Sequence, residues 1–409
     1  MDTLPFLAEA IPGIGGRIKA EPEDFVVEEI PLYAPSGAGQ HVYAYLEKRG
    51  LSTYQAISAM ARRLGVPTGV IGYAGLKDAR AVTRQLISIE GANPQRVESL
   101  DLPGIKILWV NRHRNKLKLG HLAGNRFTLR VRGVTREAQA LATAVLDELS
   151  RRGVPNYFGE QRFGVRGNTH LLGLALLRGD ATAFVREYLG HPRTEDRPEV
   201  WAARAAFDAG DYPAALGRWP SSLPEERRVL SAMVKSGGDA HQALRVLDRK
   251  LRRLFVSAYQ SYLFNLLLAS RIQLIDRLEQ GDVAFIHASG AAFLVQDPAL
   301  EQPRADRLEI SPSGPLFGPK VLLAEGSPGE TERALLTESG LSLSDFRIPG
   351  IKFKGARRPY RIPLNEVQVD WDDGLVLAFR LPPGSYATEV LREVMKSEAP
   401  ENVGGDLPG

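Results

Sequence analysis

The chain has 409 residues, 44% of them hydrophobic and 24% charged, with a formal net charge of +4. That is the balance of a soluble globular protein long enough for two or three domains, and a net charge too small to argue nucleic-acid binding by itself. There is no cysteine, which excludes disulfides, thiolate chemistry and Cys-based metal sites, and the seven histidines form no HxxxH or HExxH pair, so no metal is expected.

In chain order, residues 17–30 read as extended on both sides of a Pro22-Glu23-Asp24 turn, with Phe25, Val26 and Val27 as strand formers. Residues 42–46 form a second strand. A helix follows over 52–64: Ser52 can cap it, Ile57, Met60, Ala61 and Leu64 share one face, and Gly65 ends it. Gly72 sits at a strand end with Asp78 in the following turn; 86–89 and 105–110 are strands. Residues 127–132 alternate apolar and charged, the period of a half-exposed strand, and 138–149 return to helix. From about Asn156 the character changes, with helices over 169–177, 181–189 and 200–216, then a long basic helix over 241–273. The apolar runs 171–177 and 266–269 read as buried helix. Pro, Gly and Ser cluster at 311–319 and 327–329. Strands over 367–370 and 375–381 are joined through Asp373-Gly374, a pair suited to a tight hairpin, and 386–396 form a short helix. The last residues, SEAPENVGGDLPG, are polar and rich in Gly and Pro, which marks a flexible tail.

No run approaches the roughly 18 apolar residues that span a bilayer. The N-terminal MDTLPFLAEAIPG has an acid where a signal peptide carries positive charge, so a cytoplasmic protein without a membrane is expected. GIGG at Gly13 lacks the third glycine and acidic partner of a dinucleotide loop, and GPLFGPK at Gly314 has the wrong spacing for a phosphate loop. His113 and His121 lie in a basic segment and read as RNA contacts or surface residues.

The segment GYAGLKDARAVTRQ, 72–85, concentrates the chemistry. It sets Asp78 after Lys77 and among Arg80 and Arg84. Positive neighbours favour the anion of a carboxylate, and a desolvated carboxylate can act as nucleophile or base. Gly72 and Gly75 would let backbone approach a ligand; the bland reading is a surface turn with ordinary ion pairs.

KAEPEDFVVEE (19–29), GNRF (124–127), NYFGEQRFG (156–164), SAYQSYLFN (257–265) and LPPGSYATEVLRE (381–393) complete a set of ordered blocks. With GYAGLKDARAVTRQ they resemble the TruD family of tRNA pseudouridine synthases, over nearly the whole chain. The resemblance implies an α+β fold: a pseudouridine synthase catalytic domain with a mixed, mainly antiparallel sheet, interrupted by a TruD-type α/β insertion domain. The expected division is 1–155 and 350–396 for the catalytic domain, 156–349 for the insertion and 397–409 for the tail. It also implies isomerisation of uridine to pseudouridine without a cofactor, at the thirteenth tRNA nucleotide in the D-arm, with tRNA as the partner; apart from the resemblance, a monomer is the default expectation.

On that resemblance Asp78 matches the catalytic aspartate, attacking sugar or base or removing a proton. Lys77 would keep it ionised or hold backbone or phosphate. Phe25 matches an aromatic lining the base pocket, against a core-packing alternative. Asn125 matches a substrate contact, since an amide offers both donor and acceptor to a flipped uracil. Phe127 would be core or pocket wall, and Tyr386 would stack on the target base where Phe also fits the pattern. Two basic stretches, 111–122 and 351–361, could hold phosphates, and Arg162 reads as a structural anchor. The rivals are a non-catalytic RNA-binding or RNA-folding protein, and a nucleoside hydrolase or glycosidase, which would need a second carboxylate such as Asp24 or Glu28.

Overall fold

The computed structural model describes residues 4–397; the expected tail falls outside the described residues except for its first position. The chain divides into two compact units, one spanning Tyr157–Tyr360 and the other formed by Pro5–Asn156 with the chain from Arg361 onward. Among the described residues no helix is long and apolar enough to cross a membrane.

The second unit is built on an eight-stranded sheet. Its first six strands are β1 (Phe25–Pro31), β2 (His41–Arg49), β3 (Ile71–Tyr73), β4 (Val82–Glu90), β5 (Ile105–His113) and β6 (Leu122–Val131). Strands Asn365–Trp371 and Leu375–Leu381 complete it, the latter pairing β6 and so closing the sheet with residues from far along the chain. The path runs from Asn365–Trp371 through Leu375–Leu381, β6, β1, β4 and β2 to β5, with β3 added on β4. Only β1 and β4 pair in parallel; the other pairings are antiparallel. The hairpin loop is the three residues 372–374, and positive φ falls at Asp373 and Gly374, 48° and 131°.

Alternation along β2 sorts its side chains between two faces. Val42, Ala44 and Leu46 pack with Ile87, Ile89 and the helix α1 (Thr53–Leu64) through Ile57, Met60 and Ala61. α1 begins in a capping box of Ser52 with Gln55 and ends at Gly65 in the left-handed region, φ 73°. Tyr43 and Leu86, on the opposite face, are covered by Leu117 and Leu122. There His113 and His121, expected as RNA contacts or surface residues, are half-buried: the His113 ring stacks on Tyr33, and the Tyr33 hydroxyl lies 2.9 Å from His121 Nδ1.

The unit Tyr157–Tyr360 has its own core, in which Phe184, Leu189, Phe207, Trp219, Leu230 and Phe255 are buried among helices. It also carries a four-stranded sheet of Ala356–Pro359, Ile310–Leu316, Val283–Ile286 and Ala292–Leu294. Three sequence expectations are corrected here: the helices over 200–216 and 241–273, and the burial of Leu171. The single helix over 200–216 is two, Pro198–Asp208 and Tyr212–Arg218, because Gly210 at φ 81° breaks the first and Asp211 caps the second by accepting from Ala214 N. The helix over 241–273 is likewise divided, with Asp248 capping Arg249–Ser270. The Pro/Gly/Ser cluster at 311–319 is largely the buried strand Ile310–Leu316, and 327–329 open the helix Gly326–Glu338. Leu171, expected inside, is exposed.

The blocks NYFGEQRFG and SAYQSYLFN meet in this unit. The Asn265 side chain accepts from Phe158 N at 2.8 Å and donates to Phe158 O at 2.9 Å, while Arg162 donates to Ser257 and Ser261. Gly173 lets Thr169–Arg178 lie against Arg249–Ser270: a Cβ there would fall 2.1 Å from Phe255 O.

Candidate active site

Asp78 lies in an irregular loop between β3 and β4. Its carboxylate receives Lys19 Nζ at 3.0 Å; the lysine side chain is 6% exposed and the aspartate 44%. The same ammonium stands 4.1 Å from the centre of the Phe25 ring. One cation therefore brings the acid and the aromatic together, with Asp78 still open on one side.

Lys77 points elsewhere. Its ammonium lies 2.9 Å from Glu29 Oε2, on a side chain with no exposed surface, and donates to Asn125 Oδ1 at 2.9 Å. Register explains the meeting, since Glu29 of β1 stands opposite Asn125 of β6. Glu29 also accepts from Leu86 N at 3.1 Å. Of the roles expected for Lys77, keeping Asp78 ionised or holding backbone or phosphate, direct pairing with Asp78 falls instead to Lys19, and Lys77 compensates the buried Glu29.

Gly72 has a different reason from the one expected. A Cβ there would meet Leu117 O at 2.2 Å and Ser88 Oγ at 2.6 Å, so it admits the covering segment rather than a ligand. Gly75 leaves room for the charge pair, because its Cβ would lie 3.2 Å from Lys77 Nζ. Gly124, before Asn125, admits Leu381 O, which a Cβ would meet at 2.5 Å.

The loop backbone is fixed from two sides. Lys77 N donates to Thr53 Oγ1 at 2.9 Å, and that hydroxyl donates to Gln85 Oε1 at 3.0 Å. Lys48 donates to Asp78 O at 2.9 Å, to Lys77 O at 3.4 Å and to Leu51 O.

Phe25 and Phe127 are both buried, edge to face with centres 6.4 Å apart, and Phe127 continues to Phe379 at 5.7 Å. Tyr386 is the N-cap of the last helix, Ala387–Met395, and is 49% exposed. Asp24 and Glu28, the second carboxylates a glycosidase would need, are both engaged. Arg132 Nε donates to Asp24 Oδ1 and Oδ2 at 2.9 Å, and Arg84 pairs with Glu28 and, at 2.8 Å, with Glu47. Burial pushes the Asp24 carboxyl up, but the bonds from Arg132 and from Glu21 N outweigh it and hold the group below the usual carboxylate range.

Of the two basic stretches, 351–361 turns largely inward. Arg357 pairs with Glu332 at 2.8 Å, Arg358 lies over the Phe158 ring, and Tyr360 and Arg361 are buried; Lys352 and Lys354 remain exposed. In 111–122, Arg112 donates to Gly39 O and Lys116 to Gly69 O. Among the described residues no cluster of His, Cys, Asp and Glu could hold a metal ion.

Sequence reasoning missed Lys19, Glu29, Lys48, Thr53 and Gln85. A signal existed for Lys48: the period of β2 sets it on the face of Val42, Ala44 and Leu46, where a lone lysine is out of place. Gln85 shares the face of Ile87 and Ile89 for the same reason.

The family model for tRNA pseudouridine synthase D (TruD) matches residues 4–394. A Geobacter metallireducens protein named tRNA pseudouridine synthase D is 50% identical over 399 residues, 97% of this chain and 98% of its own. One of the same name from an Anaeromyxobacter strain is 40% identical over 402 residues, 98% of each. The crystal structure of a Methanosarcina mazei chain assigned to TruD superposes with a TM-score of 0.86 at 33% identity, covering 97% of this chain and 96% of that one.

Proposed function

Because the chain belongs to the TruD family of tRNA pseudouridine synthases, an isomerase family, we propose that it converts the thirteenth nucleotide of the tRNA D-arm from uridine to pseudouridine, with Asp78 as the catalytic residue. The observation that carries the reading is the half-open Asp78 carboxylate, held by Lys19 at 3.0 Å on a loop fixed by hydrogen bonds from two sides. The unit holding the eight-stranded sheet is then the catalytic domain, and Tyr157–Tyr360 the family's insertion domain.

The reaction breaks the bond from uracil N1 to C1′, turns the base and joins C5 to C1′; the proton lost from C5 balances the one gained at N1. No electron acceptor or donor enters the balance. One carboxylate suffices, as a nucleophile at the glycosidic carbon or as the group that moves protons. Lys19 orients it. Asn125 is the amide placed to meet the uracil edge, its oxygen anchored on Lys77 so that its NH2 is the side that can reach a ligand. Phe25 and Phe127 form the floor beneath it, and Tyr386, with its exposed ring, is the stacking partner.

The test is chemical mapping of pseudouridine on tRNA treated with the wild-type protein or with Asp78→Asn. A single new D-arm site made only by wild type is expected. Equal modification by the variant would remove Asp78 from the mechanism. Binding of tRNA with no modification by either protein would favour an RNA-binding role.

A further inference from the structure

Lys48 has no exposed surface and lies on the strand face that α1 covers. An ammonium is costly to bury unless its donors are satisfied. Its three donors meet three backbone carbonyls: Leu51 O just before α1, and Lys77 O and Asp78 O in the loop. The two residues opposite it in register, Thr83 of β4 and Ile105 of β5, carry no charge. The charges acting on it come from the loop, the attracting Asp78 carboxylate and the repelling Lys77 ammonium. Asp78 spends its carboxylate on Lys19 instead, so what Lys48 grips is backbone.

We propose that Lys48 is a positioning residue, whose ammonium holds the Lys77–Asp78 backbone so that the Asp78 carboxylate meets uridine in its reactive orientation, and whose deprotonation loosens that loop without unfolding the sheet. The inference rests on the reading of Asp78 as catalytic. A neutral amine has one donor fewer and no charge with which to hold carbonyl dipoles, so the loop loses its grip when the proton leaves.

Burial pulls Lys48 down to about 8 from a lysine's ordinary 10.5, Asp78 opposing the fall and Lys77 adding to it. Between those two values the unfolded chain binds more protons at this residue than the folded one. Lys48 therefore makes stability rise with pH across that window, while the rate falls. A merely structural lysine would not separate the two.

The experiment is single-turnover pseudouridine formation on a tRNA transcript, from about pH 6.5 to about pH 9.5, for wild type, Lys48→Met and Lys48→Gln. Filter binding of the tRNA and thermal unfolding accompany each pH. The wild-type rate is expected to fall roughly 10-fold between pH 8 and 9.5 while tRNA binding holds and the Lys48 contribution to stability rises. Both variants should be slowed about 10- to 100-fold near neutrality, the scale set by small misplacement of a reacting group. Their tRNA affinity should stay within about 3-fold, and the alkaline fall should be absent. A variant that keeps the wild-type rate, or an alkaline fall that persists in Lys48→Met, overturns the proposal. Should neither variant fold, a wild-type rate that stays flat up to about pH 9.5 overturns it alone. No pseudouridine from wild type at any pH would reject the underlying reaction instead.

Discussion

Two lysines near Asp78 form ion pairs of opposite kind, and their removal should separate stability from activity. Lys77 compensates a carboxylate with no exposed surface, so Lys77→Met leaves Glu29 charged and alone inside the protein. The expected loss is about 3–5 kcal/mol, read from urea unfolding, with most of it restored by the double variant Lys77→Met, Glu29→Leu. Lys19 pairs with a carboxylate that water still reaches. Lys19→Met should change stability by less than about 1 kcal/mol in the same assay, yet abolish pseudouridine formation. A stability loss as large as that of Lys77→Met would move Lys19 from the chemistry to the core. Asp24 supplies a pH test. Its carboxyl is held below the ordinary value, so its contribution is present above the unfolded pKa of about 3.9 and lost as pH falls through the lower, folded value. Acid titration of Asp24→Asn should show weaker stability at neutral pH and a shallower decline below about pH 4 than wild type.

Elements explain which parts were legible. α1 was readable end to end, because capping, apolar face and terminal glycine all lie within thirteen residues of one another and agree. The Asp78 loop stands out by its own residues, but its anchors do not, because each comes from another element. Lys19 precedes β1, Glu29 lies in β1, Lys48 in β2 and Thr53 at the start of α1. Only strand register, which pairs Glu29 with Asn125, brings them together. The helix ends at Asp211 and Asp248 were missed for the opposite reason: apolar periodicity continued across short breaks that the capping aspartates mark. At this scale the start of α1 makes two separable contributions. Ser52→Ala removes the cap and should cost about 1 kcal/mol with unchanged turnover. Thr53→Val keeps the shape but removes the acceptor of Lys77 N. It should cost about 1–2 kcal/mol and lower turnover as well. Equal turnover losses in the two variants would assign the effect to helix fraying rather than to the loop.

At the scale of the whole molecule, the two units each bury their own core, so damage to one should be legible as such. Gly173→Ala would drive a methyl into Phe255 O inside Tyr157–Tyr360. Overpacking of this kind costs about 1–3 kcal/mol. Hydrogen exchange should accelerate in the helices Thr169–Arg178 and Arg249–Ser270 while β1, β4 and β6 keep their protection. Uniform acceleration through the chain would mean that the units unfold as one.

The closing of the sheet on a distant strand has a consequence in time. β6 ends at Val131, and the strand that pairs its outer edge begins at Leu375. On a ribosome adding roughly 5–20 residues per second, that edge waits on the order of 10–50 s for its neighbour. During the wait its hydrogen-bonding row is open to any passing strand. The nascent chain is therefore at its most vulnerable in mid-synthesis, with Arg126 and Arg130, four residues apart on one face of β6, as the charges that flank the open row.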